Sequence, residues 1–186
     1  VSSPDRGANR EGTCIGADEA CREASKQEII RRYFDALNAL AKGSTSEKEA
    51  QKIELLMNMA GITVTDRKVV IKALERAKET DGPAAALELR DGRIITGKTT
   101  NLLGASAALL LNVLKVLAGI DHETHIISPE SIEPIQKLKV DYLKSKNPRL
   151  HTDEVLIALS ASAATNPQAR LALSQLPELA GCQAHT

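Results

Sequence analysis

The chain has 186 residues, with 24 basic and 24 acidic side chains, and therefore no net charge. This length fits one domain or two small packed halves, and it is sufficient to bury a core without disulfide bonds. The zero net charge argues against a non-specific nucleic-acid binder, and an aromatic content of 2% leaves too few rings for a base-stacking surface.

The first half of the chain is predicted to be helical. Residues 1–17 carry Ser, Pro, Gly and Asn without an apolar period, which predicts a loop or extended arm. Apolar residues then recur at spacings of three and four, which predicts three helices in a helical subdomain over residues 18–82. Ser46 is a suitable N-cap for the second helix, and Asp81-Gly82-Pro83 ends the third.

The second half, residues 83–186, has a mixed pattern. Asp91-Gly92 lies between two apolar runs and predicts a β-hairpin over residues 84–97. A long helix is predicted over 101–119 and a short strand over 125–127, followed by three further helices. These helices are predicted to begin at Ser128-Pro129, at Thr152-Asp153-Glu154 and at Asn166-Pro167. The expected fold class is therefore mainly helical α+β, with an N-terminal three-helix segment followed by a small sheet or hairpin packed by helices.

Residues 92–99 match the phosphate-loop pattern G-x-x-x-x-G-K-[ST]. The interior residues are β-branched and Asp91-Gly92 is typical of a hairpin turn, so a hairpin is the favoured interpretation. A weaker version of the phosphate hypothesis stays open, in which the start of the long helix forms an anion site. Its members would be Gly97, Lys98, Thr99 and Thr100.

The cysteines and histidines give little evidence for a metal. Three cysteines, an odd number, indicate a reducing compartment. No apolar run reaches the ~20 residues needed to cross a bilayer, so a cytoplasmic location without a membrane partner is expected. A zinc site is the alternative, but the spacings match no zinc pattern and no metal is predicted. The ligands of such a zinc site would come from Cys14, His122, His125, Cys182 and His185.

A polar connection at residues 145–154 is the second candidate site. Lys146 and Arg149 are suited to holding a phosphate or carboxylate, and His151 can move a proton near neutral pH. Asp153 adds a carboxylate beside the imidazole. The alternative is that residues 152–154 only cap the following helix, with the basic residues in solvent.

Several long segments resemble one bacterial family, the "domain of unknown function 1846" family, also called uncharacterised protein family 0371. The resemblance covers nearly the whole chain, and the chain is similar to the C-terminal part of longer members. The family's N-terminal part is Rossmann-like and carries its own Gly-rich phosphate-binding segment. The matching runs include EASKQEIIRRYF, DGPAAALELRDGRIITGKTTNLLGASAALLLNVLK and NPRLHTDEVLIALSASAATNP.

This resemblance implies that the chain is truncated at both ends and that the N-terminal part of the same protein is its partner. The leading hypothesis is the C-terminal portion of a cytoplasmic enzyme that uses a nucleotide or another phosphate-bearing small molecule, with reaction and cofactor unknown. The cofactor-binding candidates are Gly97, Lys98, Thr99 and Arg149. The catalytic candidates are His151 and Asp153.

A non-catalytic module for self-association or domain packing is the alternative function. It depends on the long predicted helix at 101–119, which is rich in Ala, Gly and Leu. Small residues on a helix allow close packing, either within a core or between subunits. A homo-oligomer is the partner expected in this case.

Overall fold

The computed structural model describes the backbone of residues 10–186 and the side chains of residues 18–186. The chain forms two compact units, one ending at Arg67 and the other running from Lys68 to Thr186. None of the helices in residues 10–186 combines the length and apolar character that a bilayer crossing requires.

The first unit contains α1 (Arg10–Ala41), α2 (Glu47–Met59) and a 3-10 turn at Val64–Asp66. Its core is formed where α1 contacts α2, around the buried residues Ile30, Met57 and Ile62. Helix α1 begins at Arg10, so residues 10–17 of the predicted arm are helical instead; residues 1–9 lie outside the described residues. The sequence criterion requires an apolar stripe, which these residues lack even though their backbone continues the helix.

The second unit is built on a three-stranded antiparallel sheet of β1 (Ala84–Glu88), β2 (Ile94–Lys98) and β3 (Gln183–His185), in the order β2-β1-β3. The predicted hairpin is confirmed, because β1 and β2 pair from Glu88↔Ile94 to Ala84↔Lys98. Gly92 lies in the turn with φ of 83° and donates its N–H to the carbonyl of Leu89 at 2.9 Å. Because residues 94–98 are a paired strand, the segment does not form a phosphate loop.

Two helices cover the sheet, α3 (Lys68–Thr80) and α4 (Ala105–Leu117). Successive strand residues point to opposite faces, so Ala86 packs with Val69 and Ala73 of α3, while Ala85 packs with Leu109 and Val113 of α4. The small sheet is thus a layer between two helices. The mainly helical α+β class is confirmed.

The remaining helices surround the other side of α4. They are α5 (Pro129–Lys137), α6 (Thr152–Ser162) and α7 (Pro167–Leu173). Helix α5 continues into a wider π-helical turn at Leu138–Tyr142. Buried side chains from these helices, from α4 and from the connection before α6 form one core cluster, which includes Leu114, Ile132, Leu150, Val155, Leu159 and Ala172.

Several predicted elements differ from the structure. The third predicted helix, α3, lies in the second unit, where it packs on the sheet. Helix α4 begins at Ala105 rather than at 101, because residues 101–104 form a bend and an isolated bridge. Residues 125–127 are not a strand, since they pair with no other backbone segment of the described chain. Strand β3 was not predicted.

Candidate functional site

A cavity of about 370 Å³ lies in the second unit beside the edge strand β2. Its walls come from α3, β2, α4 and the connection at residues 121–129. This volume is at the lower end of the range for small-molecule sites. The polar and charged lining side chains are Arg76, Thr96, Lys98, Thr100, Asn112, Lys115, His122, Glu123, Thr124 and His125.

Strand β2 presents Lys98 to this cavity. Thr96, Lys98 and Thr100 alternate along the chain, and all three line the cavity, as expected for extended backbone. Lys98 is exposed, and its ammonium has no hydrogen bond or ion pair with any described residue. An unpaired cation beside an apolar wall is available to an anionic ligand.

Helix α3 contributes Arg76, which is half-buried. Its Nη1 lies 3.1 Å from Oε2 of Glu79, one turn along the helix. Its Nε is buried and has no hydrogen-bond acceptor within the described part of the chain. The guanidinium therefore has one donor that no described acceptor uses, and Arg76 is among the residues that line the cavity.

The connection at residues 121–127 is tied to α4 by Lys115. The ammonium of Lys115 donates to the backbone carbonyls of His122 and Thr124, the second at 3.4 Å. Burial lowers the pKa of Lys115, while Glu123 and Asp121 raise it to a smaller extent. These contacts hold His122 and His125 at the cavity wall.

The charge of the lining is positive. Among the described residues, the lining contains three cations, Arg76, Lys98 and Lys115, and one carboxylate, Glu123. Its Oε1 lies 3.0 Å from Nδ1 of His122, and its side chain is 90% exposed, so it neutralises little of the interior. The arrangement can bind an anion by charge and hydrogen bonding.

The sequence did not predict that four of the lining residues share a site. These are Arg76, Lys115, His122 and His125. The two histidines lie close together in the sequence, but their spacing fits no zinc pattern and does not connect them to Lys98. Arg76 lies on the polar side of an amphipathic helix, and the sequence contains no local signal that would connect it to Lys98. Arg76 and Lys98 line the same cavity because α3 packs on the sheet.

Gly97 has a structural reason to be glycine. It is buried where β2 crosses under α4, and a Cβ at this position would lie 2.3 Å from the backbone N of Leu109. The backbone N–H of Thr99 donates to the carbonyl of Pro83 at 2.9 Å and extends the hairpin pairing. Neither residue lies at a helix N-terminus, because α4 begins only at Ala105. Of the predicted cofactor-binding residues, Lys98 alone lines the cavity.

Arg149 lies next to the segment that follows β2. Its Nε donates to the carbonyl of Thr100 at 2.8 Å. Leu150 pairs with the same segment, since its N–H donates to Leu102 and its carbonyl accepts from Gly104. The structure thus brings the two predicted site segments together, although residues 145–154 do not line the cavity.

His151 and Asp153 lie at the start of α6. His151 is the N-cap, and its N–H donates to Oε2 of Glu154 at 2.7 Å. Ligand atoms of His151, Asp153 and Glu154 lie within 4.8 Å of one another, which is a geometry that a metal could use. However, Oε2 of Glu154 also accepts from the buried ammonium of Lys139 at 2.7 Å. The Glu154 carboxylate therefore caps the start of α6 and pairs with Lys139, and these two roles explain its position without a metal.

The cysteines form no site in the described structure. Cys21 is exposed, Cys182 is half-buried, and neither is in a disulfide. Sγ of Cys182 lies 3.6 Å from the carbonyl of Glu178, and His185 pairs with Ala86 in the sheet. The side chain of Cys14 lies outside the described residues.

The structure is thus a mainly helical α+β protein with a cavity, lined by three cationic side chains, beside an edge strand of the described sheet. Comparison with known proteins adds the family. The family model "Domain of unknown function DUF1846, N-terminal" matches residues 1–61, and "Domain of unknown function DUF1846, C-terminal" matches residues 65–186. The chain belongs to this family, and the boundary between the two models lies close to the boundary between the two structural units.

The chain is similar to several bacterial proteins named UPF0371 protein. It is 60% identical over 185 residues to that of Corynebacterium aurimucosum and 54% identical to that of Corynebacterium glutamicum, in both cases covering 100% of this chain and 37% of the relative. It is 50% identical over 186 residues to a relative from Streptococcus thermophilus, covering 100% of this chain and 38% of that protein. The chain therefore spans less than two-fifths of the relatives it matches.

Proposed function

We propose that the second unit supplies an anion-binding cavity to a larger enzyme that acts on a phosphate-bearing small molecule. The observation that carries this proposal is the unpaired ammonium of Lys98 in a cavity that Arg76 and Lys115 also line. Charge-assisted hydrogen bonds to phosphate oxygens are among the stronger polar contacts in proteins. The proposal includes a cytoplasmic location for the whole protein. It also includes an N-terminal domain of the same protein as the partner of this chain, and it leaves the reaction open.

Under this proposal, the site residues take roles that differ from those predicted from the sequence. Lys98 keeps its predicted role as a phosphate-binding group, with Arg76 replacing Arg149 as the guanidinium beside it. His122 and His125 replace His151 as the imidazoles close enough to the ligand to exchange a proton. Gly97 and Thr99 serve the hairpin, and His151 and Asp153 serve the start of α6.

Isothermal titration calorimetry with inorganic phosphate tests this proposal. We expect Lys98→Ala to weaken binding about tenfold to hundredfold, because it removes a charged hydrogen bond worth about 1.5–3 kcal/mol. Lys146→Ala is the matched control, since Lys146 is an exposed lysine in the loop that does not line the cavity. Absence of phosphate binding, or an equal loss in both variants, would contradict the proposal.

A second candidate function, self-association, is favoured by a different observation. Helix α4, on which the sequence argument depended, is an internal helix, so its small residues serve the core. The π-helical turn and the residue that follows it instead expose three large apolar side chains, Leu138 by 50%, Tyr142 by 72% and Leu143 by 68%. Exposed apolar patches mark interaction surfaces. Light scattering of the wild type and of Leu143→Glu tests this: a monomer at all concentrations in both removes this candidate.

A further inference from the structure

The apolar part of the cavity lining indicates the chemical character of the part of the ligand that is not phosphate. The lining outside the polar groups consists of aliphatic residues: Leu102, Leu103, Ala108, Leu111, Ile126, Ile127, Pro129 and Ile132. Several belong to the core or pack against it, so this wall is fixed in place by α4 and α5. A ligand that reaches the cationic side also contacts this wall.

The lining lacks the groups that usually hold a nucleotide. The lining residues in the described part of the chain include no Phe, Tyr or Trp side chain on which a base could stack. Ribose hydroxyls are commonly bound by a carboxylate, and the single lining carboxylate, Glu123, is 90% exposed and lies against His122. The volume of about 370 Å³ also suits a small molecule rather than a dinucleotide.

The charge of the lining indicates the ionic state of the ligand. Among the described lining residues, three cations face one carboxylate. Because Glu79, outside the lining, forms an ion pair with Arg76 at 3.1 Å, one unbalanced positive charge remains before either imidazole is protonated. A phosphate monoester carries between one and two negative charges near neutral pH. A terminal phosphate also offers three acceptor oxygens to the donors of Lys98, Arg76 and the two imidazoles, whereas a carboxylate offers two.

Resting on the proposed function, we infer that the ligand is a phosphate monoester carried on a small aliphatic body, and that it is not a nucleotide. The phosphate lies among Lys98, Arg76 and Lys115, and the carbon skeleton lies against the wall formed by Leu102 and its neighbours. Burial of apolar surface adds affinity in proportion to the area removed from water.

A series of alkyl phosphates tests this inference by calorimetry. We expect affinity to rise from methyl to propyl to butyl phosphate by about fourfold for each methylene that becomes buried. Butyl phosphate should bind more tightly than AMP and than the matched carboxylate, pentanoate. Equal affinity along the alkyl series, or tighter binding of AMP, would overturn the inference. Failure of inorganic phosphate to bind would instead overturn the proposed function itself.

Leu102→Ala separates the wall from the phosphate site, because this side chain is already 41% exposed and its loss should leave the fold intact. We expect about a threefold to tenfold loss of butyl phosphate affinity with inorganic phosphate affinity unchanged. Leu171→Ala, an exposed leucine outside the cavity, is the control. An equal effect of both variants on butyl phosphate would contradict the role of the wall.

The same chemistry occurs in free metabolites and in the headgroup of phosphatidic acid. Sedimentation with phosphatidylcholine vesicles, with and without phosphatidic acid, distinguishes these sources. Binding of butyl phosphate without co-sedimentation assigns a soluble metabolite, which the small cavity favours. Co-sedimentation that requires both phosphatidic acid and Lys98 assigns the lipid headgroup. Co-sedimentation unaffected by Lys98→Ala contradicts the assignment of this cavity.

Discussion

Gly97→Ala is a direct test of the close contact between β2 and α4. The added Cβ would lie 2.3 Å from the N, 2.5 Å from the Cα and 2.7 Å from the Cβ of Leu109. Two of these are backbone atoms of a helix, so no side-chain rotation relieves the clash. Strand and helix would have to separate by about 1 Å to restore ordinary contacts of 3.4 Å.

The cost of this separation follows from the tight packing of the interior. Overpacking a core costs about 1–3 kcal/mol, and we expect the upper value here because the clash is with backbone. For a chain of this length, about 3 kcal/mol corresponds to a fall in Tm of about 6–12 °C. Gly82→Ala is the matched control, because its nearest neighbour would lie at 3.8 Å and its backbone is not in the left-handed region. It should be neutral or slightly stabilising.

Thermal unfolding followed by circular dichroism measures both variants. A Tm for Gly97→Ala within about 1 °C of the wild type would refute the packing argument. Calorimetry with phosphate on the same variant addresses the phosphate-loop hypothesis. If Gly97→Ala keeps its stability but loses phosphate binding, the residue cradles an anion and the structural explanation is wrong.

Two further predictions concern charged groups. Lys139→Met leaves Glu154 partly buried without its cation, so we expect a loss of about 3–5 kcal/mol in the free energy of unfolding; chemical denaturation measures it, and a double variant with Glu154→Gln should recover part of the loss. Hydrogen bonds from Arg31 and then Arg32 lower the pKa of Glu28 from 4.5 to about 2. The stabilisation that the ionised Glu28 carboxylate gives to α1 is therefore fully present above pH 4.5, and it is lost as the pH falls toward 2. Glu28→Gln should flatten this part of the acid unfolding curve, and an unchanged curve would contradict the prediction.

The sequence was sufficient where a local signal determines the structure. Asp91-Gly92 fixes a two-strand hairpin because glycine accepts the positive φ that the turn requires. Three predicted helix starts are confirmed, at Ser46, Ser128 and Asn166. In these places the relevant contacts lie within a few residues of the signal.

Elements that depend on distant contacts could not be predicted in this way. Strand β3 has three residues and little apolar alternation, and it is a strand because its backbone pairs with β1. The site shows the same limitation. Lys98 was identified from a motif that the hairpin does not use, and its predicted neighbour Arg149 binds a backbone carbonyl instead. Arg76, which lines the same cavity as Lys98, reaches it because α3 packs on the sheet.

The position of β3 has a consequence for handling the protein. Without Gln183–His185, the central strand β1 would become a sheet edge with unpaired N–H and C=O groups at Ala86 and Glu88. Its sequence, Ala-Ala-Ala-Leu-Glu, carries a single charge and no proline to discourage pairing with another molecule. The three residues of β3, distant from β1 in the sequence, thus protect β1 from pairing with a strand of another molecule. A truncation that removes them is expected to aggregate even if every helix still folds.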